Sequence, residues 1–281
     1  MIRCALSVPN FGDFGDPHSL TALARTAEEA GWDAVFVWDH IQAGHGAGPV
    51  ADPWVSMAAM ATATERLIVG PMVTPLPRRR PAKLAREAVT LDHLSRGRLI
   101  LGVGIGWPPR EDFANFGDAG DDRVRAAQLD EGLRVLTGLW SGERFDHRGD
   151  HYTVVDARFL PTPYQQPRIP IWVGGMWPHR AAFRRAARWD GVYPIRVDES
   201  YGFAPMTPGD FAEVVAYVAA HRQPGLPFDA AAGGSTMDDP EPARTVGSWA
   251  EAGATWWIEN VPFPGRPVGE FFAYVAGGPP R

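Results

Sequence analysis

An aspartate and a histidine stand side by side at the end of an apolar run early in the chain. The run Ala34–Val37 has the composition of a buried β-strand, and it leads through Trp38 into Asp39 and His40. Imidazole is well suited to move protons near neutral pH, and a neighbouring carboxylate can fix its tautomer or raise its pKa. The pattern fits either a capped surface turn or a strand that opens into a reaction pocket, with Asp39 and His40 as catalytic residues.

Strands and helices alternate along the whole chain, and each predicted strand is nearly all apolar, as in a parallel sheet buried on both faces. The predicted strands are Arg3–Pro9, Asp33–Val37, Leu67–Thr74, Arg98–Gly104, Ile171–Val173, Gly191–Pro194, Phe228–Ala232 and Thr255–Glu259. Eight such units in 281 residues favour an α/β fold, a (β/α)₈ TIM barrel, over an open doubly wound sheet. We expect one domain, residues 1–281, with an insertion between strands four and five.

Capping residues and apolar periodicity mark the helices between these strands. The predicted helices are Ser19–Ala30, Asp52–Ala63, Pro81–Ser95, Arg123–Trp140, Arg180–Arg188, Asp210–His221, Glu241–Ala252 and Val268–Val275. Ser19 and Asp52 are the expected N-caps of the first two helices. The stretch 144–170 is polar and rich in proline, so we expect less regular structure there.

Glycine recurs where the predicted strands end, which is where the active site of a barrel forms. Glycine allows a backbone to approach a ligand closely. Gly104 and Gly106 precede Trp107 in GVGIGW at 102–107, but a tryptophan holds the sixth position of the dinucleotide pattern G-x-G-x-x-G. We interpret this segment as backbone that approaches a flat ligand, with Trp107 lining the pocket.

Two further glycines, Gly174 and Gly175, follow predicted strand five and precede His179, Arg180 and a helix. The free N–H groups and positive dipole of a helix N-terminus favour phosphate. His179 and Arg180 would add positive charge at the same place. The segment therefore predicts a phosphate-binding turn, and an ordinary βα turn is the alternative.

Three other polar groups are interpreted as structural. Arg78–Arg80 opens a helix and has the pattern of a solvated face, although a polyanionic ligand tail could reach it. Asp92–His93 lies late in a predicted helix. His147 and His151 have helical spacing, but Gly149 lies between them, so we predict no metal site.

The composition excludes several classes of partner. A net charge of -6 argues against binding to nucleic acid or to an anionic membrane. The single cysteine, Cys4, lies in an apolar run, which predicts a buried thiol and excludes an internal disulfide. No apolar run approaches the roughly 20 residues of a membrane span, and no signal segment opens the sequence. A cytoplasmic location is expected.

Several stretches together resemble the bacterial luciferase-like flavin and deazaflavin oxidoreductases. They are VWDH at 37–40, TPLPRRRPAKLAREAVTLDHLSRGRLILGVGIGW at 74–107, AAQLDEGLRVLTGLW at 126–140, PIWVGG at 170–175 and ARWDGVYP at 187–194. The resemblance covers most of residues 1–195 and returns in AGATWWIE at 252–259. It implies a (β/α)₈ barrel that binds flavin mononucleotide (FMN) or the deazaflavin coenzyme F-420 at its strand ends.

The resemblance also implies roles for particular residues. Members that use the deazaflavin commonly carry an Asp-His pair at Asp39 and His40, where the aspartate helps to hold the cofactor and the histidine lies near its reactive carbon. A non-proline cis peptide is implied near Met72–Val73, behind the ring. The implied cofactor-binding residues are Asp39, Met72, Val73, Thr74, Gly104, Gly106, Gly174, Gly175, His179 and Arg180.

Two positions depart from part of that family. Its deazaflavin sugar-phosphate dehydrogenases carry a glutamate where Trp107 stands and a tryptophan where Gly44 stands. Both are active-site residues there, so their replacement argues against a sugar phosphate as substrate. The loop 44–48 is instead rich in glycine, and we expect it to be mobile.

The leading hypothesis is an F-420-dependent oxidoreductase that moves a hydride to or from a small, largely apolar substrate. His40 would be the general acid or base, and Asp39 a neighbouring cofactor ligand. The expected walls of the substrate pocket are Phe11, Trp38, Trp107 and Met176. The alternatives are an FMN-dependent monooxygenase supplied by a partner flavin reductase and a non-catalytic flavin-binding barrel. The family habit implies a homodimer.

Overall fold

Twelve strands occur in a computed structural model that describes residues 2–44, 46–200, 202–261 and 266–281. They are β1 Arg3–Val8, β2 Ala34–Val37, β3 Ile68–Pro71, β4 Thr74–Pro75, β5 Leu101–Gly104, β6 Phe145–Arg148, β7 Thr153–Ala157, β8 Ile171–Trp177, β9 Gly191–Val197, β10 Phe203–Ala204, β11 Asp229–Gly234 and β12 Trp256–Asn260. The predicted third strand is interrupted, because β3 and β4 are two segments of one stave, a term used here for one of the eight strand positions of the barrel.

One α-helix follows each stave in the described ranges. They are α1 Pro17–Glu29, α2 Pro53–Ala63, α3 Pro81–Leu94, α4 Asp122–Trp140, α5 Arg180–Ala186, α6 Pro208–His221, α7 Pro242–Glu251 and α8 Val268–Ala276. Asp52 caps α2 as predicted, but the N-cap of α1 is Asp16 rather than Ser19, since the Asp16 carboxylate accepts the N–H of Ser19 itself. In the described part of the chain, no helix has both the length and the apolar character that a membrane span requires.

The staves form a nearly closed parallel barrel. The strand order is β3-β2-β1-β12-β11-β9-β8-β5-β4, and the first and last strands belong to the same stave. The Ile100 N–H donates to the Val69 carbonyl at 3.1 Å, and the Val69 N–H donates to the Arg98 carbonyl at 2.9 Å. These bonds join β3 to the segment before β5, so the (β/α)₈ barrel is confirmed and an open sheet is excluded.

The predicted insertion lies between β5 and β8, but it is more regular than expected. Strands β6 and β7 form an antiparallel hairpin inside the stretch 144–170. The prolines that suggested irregular chain begin only at Pro161, after the hairpin. His147 Nε2 lies 3.0 Å from Glu131 Oε1 of α4, which ties the hairpin to the helix layer. No group of residues able to hold a metal ion occurs in the described ranges.

Aromatic side chains fill the N-terminal half of the barrel interior. Trp172 packs against Phe36 and Trp256, with ring centroids 5.4 and 5.2 Å apart. Trp257 faces the opposite way and packs on Trp249 of α7, as the two-residue period of a strand requires. Burial of each such ring contributes about 1.5–3 kcal/mol. In the described part of the chain the N-terminal half of the interior is therefore filled, and a ligand can approach from the C-terminal ends of the strands.

Candidate active site at the barrel mouth

Glycines at inward positions allow other side chains to pack closely at the C-terminal end of the barrel. A Cβ atom at Gly104 would lie 2.8 Å from Val73 Cγ2, and one at Gly174 would lie 2.9 Å from Val73 Cγ1. Across the mouth, a Cβ at Gly233 would lie 2.7 Å from the Tyr193 hydroxyl. The Val73 side chain therefore rests between two strands that carry no inward side chain. We call Val73, Gly104, Gly174 and Gly233 the glycine cradle.

The bulge between β3 and β4 carries Val73 into this cradle. The Met72–Val73 peptide bond is cis, as the resemblance implied. The Met72 side chain packs in the barrel interior, and Thr74 is fully buried. The Thr74 hydroxyl donates to Asp39 Oδ2 at 2.7 Å and accepts from Trp54 Nε1 at 3.2 Å. These bonds fix the end of the third stave to the end of the second.

The partners of the Asp39 carboxylate are two arginines, where the sequence suggested His40. Its side chain is 1% exposed, and Oδ1 accepts from Arg78 Nη2 at 2.9 Å. Arg79 donates to Oδ2 from Nε at 3.0 Å and from Nη2 at 2.7 Å. The interpretation of these arginines as a solvated face was wrong, because the buried carboxylate holds both of them at the mouth. With Thr74 added, both Asp39 oxygens are already occupied by protein donors.

The carboxylate that contacts His40 is Asp112, from the loop after β5. His40 Nδ1 lies 2.7 Å from Asp112 Oδ2, and the two side chains are 19% and 1% exposed. Burial raises the pKa of the Asp112 carboxyl, but His40, the Gln42 N–H and Arg78 together bring that pKa below its usual value. In a neutral imidazole whose Nδ1–H donates to this carboxylate, Nε2 is an acceptor. No residue of the described ranges bonds to Nε2.

Acid should remove the stabilisation that Asp112 provides. Because the pKa of Asp112 is lower in the folded chain than in the unfolded chain, its contribution is complete above about pH 4. It is lost as the pH falls through the lower, folded-state pKa. Urea unfolding of the wild type and Asp112→Asn should therefore give a free-energy difference that shrinks on acidification. A difference that does not vary with pH would contradict this assignment.

Phe113 anchors the loop that delivers Asp112. Its ring is fully buried, with the guanidinium groups of Arg125 and Arg78 at 4.4 and 5.7 Å from its centroid. Arg125 is itself buried, and Nε and Nη1 have no acceptor in the described part of the chain, so its charge lies against the ring. A Cβ at Gly106 would lie 2.4 Å from Phe113 Cζ. Gly106 therefore makes room for Phe113, which differs from its expected role as a cofactor contact.

Sequence reasoning missed Asn10, which holds the His40 backbone. Asn10 is fully buried, and its amide donates to the His40 carbonyl at 2.8 Å and accepts from the His40 N–H at 3.1 Å. The imidazole lies edge-on to Phe11 and Trp38, at 5.7 and 6.2 Å between ring centroids. Trp38 is oriented by a bond from Nε1 to Ser7 Oγ at 2.9 Å. The expected wall residues Phe11 and Trp38 thus lie against His40.

Gly174 and Gly175 do not form the predicted turn, because β8 continues through them to Trp177. Gly174 faces the barrel interior, toward Val73. Gly175 faces outward, where a Cβ would lie 2.7 Å from Ala182 Cβ of α5. Gly175 therefore allows a helix to pack closely on the strand. The predicted strand five ended early because glycine has a low β-propensity.

The turn before α5 lies at His179 instead. Its N–H donates to the Met176 carbonyl at 2.9 Å. Arg180 stacks on Trp177 and Tyr217, at 4.4 and 4.6 Å from the ring centroids. Since Trp177 packs in the helix-facing core, Arg180 is directed to the helix layer. The Arg180 guanidinium therefore stacks on two rings of the helix layer, away from the His40 side of the mouth.

The chain also matches known proteins. The sequence profile of the luciferase-like monooxygenases matches residues 5–204. The chain belongs to the luciferase-like monooxygenase family. His45, in the glycine-rich loop expected to be mobile, lies outside the described residues.

One curated relative within this family is the F420-dependent glucose-6-phosphate dehydrogenase of Microbacterium testaceum (strain StLB037). It is 36% identical over 178 residues, which are 61% of this chain and 50% of the relative. The chain therefore spans about half the length of the curated relatives it matches.

Solved structures support the same fold. An F420-dependent secondary alcohol dehydrogenase, in complex with an F420-acetone adduct, has a TM-score of 0.76 at 18% identity, over 92% of this chain and 93% of that chain. The oxygenating constituent of 3,6-diketocamphane monooxygenase from Pseudomonas putida, in complex with FMN, has a TM-score of 0.75 at 16% identity. That match covers 98% of this chain and 96% of the other. At these identities the likeness concerns the fold.

Proposed function

We propose that this chain is an oxidoreductase that uses the deazaflavin coenzyme F-420 for hydride transfer to or from a small, largely apolar substrate. The observation that carries the proposal is the His40–Asp112 pair, which leaves Nε2 without a partner among the described residues, at a mouth lined by glycine. The names of the curated relatives and of the secondary alcohol dehydrogenase support the choice of cofactor.

The mouth fits a flat cofactor. The inward positions Gly104, Gly174 and Gly233 carry no side chain, and Val73 and the Tyr193 hydroxyl lie where their Cβ atoms would be, so Val73 presents an apolar surface at the mouth. A ring system held against this cradle is protected from water on one face. The residues that would hold it are Val73, Gly104 and Gly174, with Met72 and Thr74 fixing the bulge. A bound deazaflavin would supply the hydride acceptor or donor.

His40 manages the proton in this proposal. Asp112 keeps a proton on Nδ1, so Nε2 accepts a proton from a substrate hydroxyl during oxidation and returns it to the oxygen during reduction. Phe11 and Trp38 limit the access of water to the imidazole. Asp39 acts as a positioning residue, because it holds Arg78, which lies 3.2 Å from Asp112 through Nη1.

Filling the cradle should weaken cofactor binding. In Gly174→Val, the added side chain must displace Val73 or occupy the space of the ring. Overpacking of this kind costs about 1–3 kcal/mol, so affinity for F-420 should fall by about tenfold or more. Fluorescence titration measures the affinity, and thermal melts without ligand report the effect on stability.

Gly247→Ala is the matched control, because no atom lies within 4 Å of the added Cβ in α7. Its affinity for F-420 should equal that of the wild type. Unchanged affinity in Gly174→Val would show that the cofactor does not use this cradle.

The second candidate function is an FMN-dependent monooxygenase fed by a partner reductase. The specific observation in its favour is the apolar shelter of Phe11 and Trp38 beside His40, since oxygen activation on a flavin requires protection from water. A non-catalytic flavin-binding barrel is the third, and turnover with any substrate excludes it. We further propose one domain, a homodimer and a cytoplasmic location, with no nucleic-acid partner.

Turnover assays separate these candidates. Under anaerobic conditions the protein is mixed with oxidised F-420 and with 2-propanol, cyclohexanol, benzyl alcohol or glucose 6-phosphate. Loss of the deazaflavin absorbance with an uncharged alcohol is expected. Oxygen consumption with reduced FMN and a ketone, without any F-420 reaction, would favour the monooxygenase instead.

A further inference from the structure

A short strand carries Phe203 to the inner side of the mouth. Strand β9 pairs with β8 so that Gly174 lies beside Tyr193, which packs on the interior cluster. Side chains of a strand alternate, so Val197, four residues after Tyr193, faces the same inner side. Phe203 of β10 lies directly opposite Val197 in an antiparallel pair. Residues directly opposite in such a pair share a face, so Phe203 points over the mouth.

Trp107 contacts Phe203 from a loop two strands away, since only β8 separates β5 from β9 in the barrel. It belongs to the loop after β5, one residue beyond Gly106 and five before Asp112. The two rings meet edge to face, with centroids 5.3 Å apart and an interplanar angle of 70°. Trp107 is nevertheless 48% exposed and Phe203 is 62% exposed. Two large rings that touch each other while presenting open faces to a site are typical of a surface that a ligand covers.

Three arginines near the mouth are paired with carboxylates of the chain and offer little charge to an anionic substrate. Arg78 and Arg79 are neutralised by Asp39 and Asp112. Arg196 alternates to the outer face of β9 and pairs with Asp210 of α6 at 3.4 Å. Each of these guanidinium groups is therefore engaged by a carboxylate of the chain.

We infer that Trp107 and Phe203 form an aromatic clamp that holds the planar, uncharged ring of the substrate above His40. The chemistry at His40 rests on the proposed function, but the binding by the clamp does not. A benzylic or cyclic conjugated alcohol or ketone is the substrate class that suits both the clamp and His40, since its ring stacks on the clamp and its oxygen faces Nε2.

The test uses prodan, a neutral naphthalene ketone whose fluorescence shifts in an apolar environment. The protein is titrated with prodan, with and without F-420, and F-420 binding is followed in the same samples. Trp107→Ala and Phe203→Ala should each raise the Kd for prodan by about tenfold, and Trp107→Phe should retain most of the affinity. In the double variant the Kd for prodan should rise by less than the product of the two single-variant increases, because the two rings contact each other.

Phe116→Ala is the matched control, since Phe116 lies in the same segment between β5 and α4 as Trp107 and is 52% exposed. The Kd of this variant for prodan should equal that of the wild type. The clamp is overturned if the wild type does not bind prodan, if the two alanine variants bind it as the wild type does, or if glucose 6-phosphate displaces it. If the wild type does not bind F-420 but the variants change the Kd for prodan as expected, the proposed cofactor is rejected and the aromatic clamp is retained. All these side chains are about half exposed, so their truncation opens no core cavity.

Discussion

His40→Ala should lower kcat for hydride transfer by about two to four orders of magnitude, the usual contribution of a positioned acid or base. The His40 side chain pairs with Asp112 and packs on Phe11 and Trp38, whereas other residues form the glycine cradle, so the Kd for F-420 should change little. This difference between kcat and Kd follows from the geometry, in which His40 Nδ1 lies 2.7 Å from Asp112 Oδ2 and Nε2 has no partner among the described residues. Single-turnover kinetics with saturating cofactor measure the effect.

His93→Ala is the control, because His93 is an exposed histidine that bonds the Thr162 carbonyl on the helix layer. Its kcat should equal that of the wild type. Added imidazole should restore part of the activity of His40→Ala and none in the control. Hydride transfer at the wild-type rate in His40→Ala would show that the proton is managed by another group.

Asp39→Asn is expected to lower the free energy of unfolding by about 3–5 kcal/mol, the cost of leaving a buried ion pair without one partner. Asparagine preserves the shape but removes the charge that Arg78 and Arg79 share. Their side chains are 4% and 19% exposed, so water cannot fully replace the carboxylate. Urea unfolding at neutral pH measures the change, and activity should fall with it because Arg78 also contacts Asp112.

Asp130→Asn provides the matched comparison. Asp130 likewise pairs with two arginines, Arg185 and Arg188, but its side chain is 28% exposed. Solvent screening makes such pairs worth about 0–1 kcal/mol, so the loss should be much smaller. Equal losses in the two variants would contradict the view that burial makes Asp39 important.

The sequence is sufficient to predict the barrel and the strand ends that form its mouth. Apolar strands alternate with helices along the chain, and Asp52 and Pro53 show how local chemistry sets a helix start. The two-residue period of a strand also places Gly104 and Gly174 inward. The Met72–Val73 cis bond was implied by resemblance alone, since no local pattern in these residues requires it.

Long-range partners could not be predicted in the same way. Asp112 lies 72 residues from His40, in a loop whose course depends on the burial of Phe113 between two arginines. The adjacent Asp39 therefore looked like the partner of His40. Arg78 and Arg79 resemble a solvated helix start locally, and only the folded barrel brings a buried carboxylate to them. The acidic and aromatic pair at 112–113 was the one available signal.

Parallel fluorescence titrations of the purified protein with F-420 and with FMN test the central claim most directly. We predict tight, saturable binding of F-420 to the wild type, markedly weaker binding of FMN, and loss of F-420 binding in Gly174→Val. Tight binding of FMN alone would contradict the proposed cofactor and would favour the monooxygenase.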